Sequence, residues 1–134
     1  MKRPIRAILY GFLIWWLWFA FIGLAQFLPD AVRSHPSFAT ARLLVLVLLV
    51  VAFAVDYLRR VGRSGVGEGA AIGFTWMALL IVNDIGHFLF MEPTDIGVYL
   101  MQFAPLYVFV PIITVAVFGY LERRAAVDRS TGHI

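Results

Sequence analysis

Four long apolar stretches, separated by short polar breaks, make up the hydrophobic pattern of this chain. They cover about residues 5–28, 38–58, 69–91 and 96–121. Each is near the ~20 apolar residues that carry a helix across a bilayer. Lipid offers no water to backbone N–H and C=O groups, so runs of this length fold as helices that satisfy their own backbone. The pattern predicts an all-α polytopic membrane protein, a four-transmembrane-helix bundle in a single membrane domain covering 1–134. Pro29, Asp30, Ser34 and Pro36 punctuate the first break. Gly62, Gly65, Gly67 and Gly69 loosen the second, and Glu92, Pro93, Thr94 and Asp95 make the third. The glycine-rich break has neither the preceding strand nor the fingerprint of a phosphate-binding loop, so it reads as a hairpin. The polar tail from Glu122 onward is expected to fray.

Composition strengthens the membrane assignment. Hydrophobic residues are 62% of the chain, against roughly 45–50% in soluble domains. There is no cysteine, which excludes disulfides, thiolate chemistry and cysteine metal sites. The first span follows a basic lead of Lys2, Arg3 and Arg6. Its apolar run exceeds the ~7–15 residues of a signal-peptide core, and no small-x-small site follows, so it is expected to stay as an uncleaved span. The sequence pI near 9.7 does not point to nucleic acid, because the basic residues sit at segment ends. Lys2, Arg3, Arg6, Arg59, Arg60, Arg63, Arg123, Arg124 and Arg129 share one side, and Arg33 and Arg42 the other. That bias predicts both termini in the cytoplasm.

Polar residues inside the spans are the candidate chemistry. At 100° per residue, Gly69, Gly73, Trp76, Leu80, Asn83, Asp84 and His87 fall on one stripe of the third span. Ile72, Ala78, Ile81, Val82 and Ile85 fall on the remainder. Gly69 and Gly73 form a small-xxx-small pair that admits a neighbouring backbone. Counting along each span puts Asp84 and His87 in the outer half of the bilayer, with Gln26, Arg42, Tyr99 and Gln102 at a similar level. Arg42 is the expected partner of Asp84, with Asn83 or Gln26 completing its hydrogen bonds. Two readings stand for this polar intramembrane site. It is a structural clasp that fixes helix register, or a site for a proton, ion or ligand. No metal site is expected, since no two-histidine spacing exists. No haem or other cofactor is expected either, although His87 and His35 both lie toward the outer side.

The fourth span carries Pro105 and Pro111, which bend a helix and free the carbonyls at 101 and 107. Trp15, Trp16 and Trp18 lie mid-span, away from the interface that tryptophan favours, and are expected to pack against neighbouring helices or a lipid or pigment. A repeat is suggested by Gly11-Phe12 with Trp15 against Gly73-Phe74 with Trp76. Tyr57-Leu58-Arg59-Arg60 likewise echoes Tyr120-Leu121-Glu122-Arg123-Arg124. Such an echo implies two parallel helical-hairpin repeats about an axis along the membrane normal.

Gly73, Trp76, Asn83 and Asp84, then Asp95-Ile96-Gly97-x-Tyr99, then Pro111-Ile112-Ile113-Thr114-Val115 with Gly119-Tyr120, resemble a group of small four-span prokaryotic membrane proteins without an assigned function. The likeness covers about the second half of the chain. It implies a bundle in the plasma (inner) membrane of a prokaryote and carries no site residues. No nucleophile is paired with a base and no nucleotide loop is present, so an enzyme ranks last. The expected function is that of a non-enzymatic interaction or accessory component, working as a homo-oligomer or with other membrane subunits in the lipid bilayer. The alternative is a small transporter or channel using Asp84 and His87.

Overall fold

Every described element is a helix. The computed structural model describes residues 3–62, 65–90, 97, 101 and 104–131. Helix α1, Pro4–Ala25, starts with proline at its first position, where no donor is required and φ is already helical. Helix α2, Asp30–Arg33, is a single turn inside the first connection. Helix α3, Pro36–Val61, also opens on proline, and the His35 imidazole caps it by accepting from the Ser37 N–H at 3.2 Å. It closes at Gly62, whose φ of +78° is the left-handed backbone that glycine adopts without strain. Helix α4 is Val66–Phe90. The fourth span is built from α5, Ala104–Tyr107, and α6, Phe109–Thr131.

The interruption between α5 and α6 falls at Val108. Pro111 lies in the first turn of α6, where its missing N–H would otherwise have bonded the Tyr107 carbonyl. The expected break in the fourth span therefore sits at the second proline. The tail does not fray at Glu122. Helix α6 continues to Thr131, because Glu122, Arg123, Arg124, Ala125 and Ala126 are all good helix formers.

Four helical segments are long and apolar enough to cross a membrane: Pro4–Ala25, Pro36–Val61, Val66–His87 and Ala104–Val127. Among the described residues, α1 packs on α3 and α4, and α6 packs on α3 and α4. The order around the bundle is thus α1, α3, α6, α4. First and third spans are parallel neighbours, and so are second and fourth. A central two-fold along the bundle would place the first span diagonally opposite the third. The hairpins instead lie side by side, so the sequence echo is not a two-fold repeat in space.

The tightest seam joins α4 to α6, and the two anticipated glycines make it. A Cβ on Gly73 would lie 2.5 Å from the Pro111 Cα, and one on Gly69 would lie 2.9 Å from the Phe118 Cβ. Both separations are below van der Waals contact, so only glycine permits this approach. Leu46, Val50, Ile72, Trp76, Leu80, Val110 and Phe118 fill the centre. Ile72, which falls outside the polar stripe, is fully buried and packs inside the bundle. It follows Gly69 by three residues, so it shares the face that the glycine seam turns inward. Ala78 and Val82 are exposed, as the stripe requires.

Candidate functional site

Two tryptophans set the register between α1 and α4. Trp76 Nε1 donates to the Ala7 carbonyl at 2.7 Å, and Trp15 Nε1 donates to Asp84 Oδ1 at 2.7 Å. Both bonds join residues 69 apart. They are rungs donated in opposite directions between parallel helices, about 12 Å apart along the axis. Gly11 lies between them, its absent Cβ leaving room for Trp76 and Leu79.

Asp84 is the centre of the upper rung and is only 9% exposed. Its second oxygen, Oδ2, accepts from the Tyr107 hydroxyl of α5. Trp18 Nε1 donates to the same hydroxyl oxygen at 3.2 Å. A chain of donors therefore runs Trp18 to Tyr107 to Asp84, and Trp15 closes it from the other side. One turn along α4, the His87 ring meets Phe19 edge-on with centroids 4.7 Å apart. Phe19 in turn stacks on Trp15 at 5.3 Å. Helices α1, α4 and α5 meet at this one carboxylate.

The anticipated partners of Asp84 have other contacts. Asn83 donates to the Leu79 carbonyl of its own helix at 2.7 Å. Gln26 accepts from Arg33 at 2.6 Å, and Arg33 also pairs with Asp30. The Arg42 guanidinium lies over the Phe38 ring, 5.5 Å from its centroid. Among the described residues, the ion pairs are Asp30–Arg33 and Asp56–Arg60, and an Asp84–Arg42 pair is not among them. Gln102 and Tyr99 lie outside the described residues.

The reason is register. Depth counted from the ends of separate spans treats all four as starting level. The rungs instead set Asp84 beside Trp15, near the middle of α1. Gln26 is then about 16 Å farther along α1. On α3, Asp56 accepts from Tyr10 and marks the level of that residue. Arg42 lies about 13 Å beyond the Trp15 level on that scale, farther than its side chain spans.

Trp15, Trp18 and Tyr107 were not among the candidate site residues. The signal was present for the tryptophans, since an indole N–H at mid-span requires an acceptor. Tyr107 carries the same signal, a hydroxyl four residues before the Pro111 break. Asp84 and Trp76 were singled out and do occupy structural centres. Pro105 is exposed on α5, and Pro111 is buried against Gly73.

A second polar layer ties the opposite end. Asp56 accepts from Tyr10 and from Arg60 Nε at 2.8 Å. The buried Tyr57 donates to Glu68 Oε1 at 2.9 Å and accepts from the Arg3 backbone N–H at 3.3 Å. Arg60 and Asp56 form the i, i+4 pair that their spacing suggests.

Among the described residues, no three His, Asp or Glu side chains gather as a metal site. The described cavities lie at the start of α1, beside Gly119 and Glu122, and in an apolar groove of about 670 Å³ lined by Phe74, Met77, Pro111 and Ile112. None of these three is lined by Asp84. Compared with protein-family models, curated proteins and solved structures, the chain matches none.

Proposed function

We propose that this chain is a non-enzymatic integral membrane component that works by interaction, as an accessory subunit or an oligomer. The observation that supports this best is the state of Asp84. Both carboxylate oxygens accept from side chains of other helices, Trp15 on α1 and Tyr107 on α5. A carboxylate so held joins helices, and the bonds it makes are the ones a transport carboxylate would have to release. The other polar layer is likewise engaged between helices through Tyr10, Asp56, Tyr57 and Glu68. The outward surface is what remains for function, and it is apolar along α1. The arginine bias supports an inner-membrane placement with both termini cytoplasmic.

A proton- or ion-coupled transporter is the second reading, and the observation in its favour is His87 one turn from Asp84 on the same face. Purification from native membranes in mild detergent tests the two. The accessory reading expects a particle heavier than one chain plus detergent, and liposomes without a pH-driven flux. A flux that Asp84→Asn abolishes, in a variant that still folds, overturns it in favour of transport.

A further inference from the structure

The chain has four tryptophans, and three have an acceptor for the indole N–H. Trp15 donates to Asp84, Trp18 to Tyr107, and Trp76 to the Ala7 carbonyl. The fourth, Trp16, is 62% exposed, and among the described residues its N–H donates to nothing. Trp16 lies about 18 Å from the start of α1, near the middle of a helix about 33 Å long. In a bilayer that is the hydrocarbon core, where an indole N–H finds neither water nor headgroups.

The surface around Trp16 has a particular shape. Ile5, Leu9, Phe12, Trp16, Ala20 and Gly23 lie within about 40° of one line on α1. Leu9, Phe12 and Trp16 are large and exposed. Gly23 is exposed, and nothing stands within 4 Å of where its Cβ would be. The face is therefore full in its first half and hollow one to two turns beyond Trp16.

We infer that this face of α1 docks against the same face of a second copy of the chain, parallel and related by a two-fold along the membrane normal. The inference rests on the interaction reading above and names its partner. A second copy inserted with the same orientation brings Trp16, Ala20 and Gly23 to matching depths without further adjustment. The two helices cross where Ala20 and Gly23 allow close approach. Each Trp16 then fills the widening gap below the crossing and donates to a main-chain carbonyl of the other helix. The chain already contains that contact, since Trp76 reaches the Ala7 carbonyl of a parallel helix beside Gly11. Such an interface is isologous and closes at two copies.

The natural sequence has no cysteine, so single cysteines report the face directly. Ala20→Cys and Gly23→Cys, oxidised in native membranes, should give disulfide-linked dimers, and Ile8→Cys and Leu17→Cys on the flanks should not. In liposomes, Trp16→Phe should weaken dimerisation about three- to twentyfold, the range of one interhelical hydrogen bond in a membrane. Unfolding of the bundle should be unchanged, because Trp16 touches none of the internal bonds. Cross-links of this face to a different protein overturn the second copy and leave the accessory reading intact. A monomer whose Trp16 fluorescence is quenched by lipid brominated on its acyl chains overturns the inference as well. The accessory reading is then judged separately, by the mass of the particle from native membranes.

Discussion

Removing the carboxylate of Asp84 measures what holds α1, α4 and α5 together. Asp84→Leu keeps a side chain of similar size and takes away the acceptor of two donors, Trp15 Nε1–H and the Tyr107 hydroxyl. A buried donor left without an acceptor costs about 1–3 kcal/mol. Interhelical hydrogen bonds in membranes are worth less, averaging about 0.6 and reaching about 1.7 kcal/mol. A buried acceptor serving two donors from other helices belongs at the upper end of that scale. The Tyr107 hydroxyl also accepts from Trp18 and can turn its proton, which softens its loss. Together these give about 2–4 kcal/mol of destabilisation for Asp84→Leu. Asp84→Asn should cost about 1 kcal/mol, because its amide oxygen still accepts from Trp15 and its NH2 can donate to the tyrosine oxygen.

The assay is reversible unfolding in mixed micelles, run as a double-mutant cycle. Trp15→Phe removes one donor, and on the Asp84→Leu background it also removes the donor that leucine had orphaned. The double variant should therefore be more stable than the sum of singles implies, with a coupling of about 1–2 kcal/mol. Arg42→Gln should couple to Asp84→Leu less strongly than Trp15→Phe does, given the register that separates the two residues. An Asp84→Leu protein as stable as the natural one refutes the clasp. So does a larger coupling to Arg42 than to Trp15, which would restore the partner that the sequence suggests.

Two further outcomes follow from the fold. Gly73→Ala should destabilise the bundle by about 1–3 kcal/mol, measured in the same micelles, because its Cβ would press on the Thr114 hydroxyl and also on the Pro111 main chain, which cannot turn away; no loss would show that the α4–α6 seam is wider than described. For orientation, a cysteine at Ser34 should react with an impermeant thiol reagent on intact cells and one at Ser64 should not; the reverse labelling would invert the topology.

The fold was legible because its strongest signals are local. Apolar length alone marks four spans, and proline marks the starts of α1 and α3 and the break at Val108. The α4–α6 seam was legible for the same reason, since Gly69 and Gly73 advertise close approach wherever they pack. The site was legible only in part. Asp84 stands out as a carboxylate in an apolar run, but its partners depend on how far each helix slides along its neighbour. Nothing in one span's composition states that offset. Counting from span ends gave Gln26 and Arg42, and the actual offset gave Trp15.

What fixes the offset is visible in the sequence once hydrogen-bond donors are counted as obligations. An indole at mid-span has one N–H, and lipid cannot accept it. Trp15 and Trp76 therefore each demand an acceptor on a neighbour at their own level. Asp84 offers an acceptor, and so does a main-chain carbonyl at Ala7 beside the small Gly11. The spacing from Ala7 to Trp15 equals that from Trp76 to Asp84, so one parallel alignment satisfies both demands at once. A slide of one turn would break both rungs together. The clasp at Asp84 and the rung at Ala7 thus act as one register lock, and substitutions in the two should couple although about 12 Å separates them.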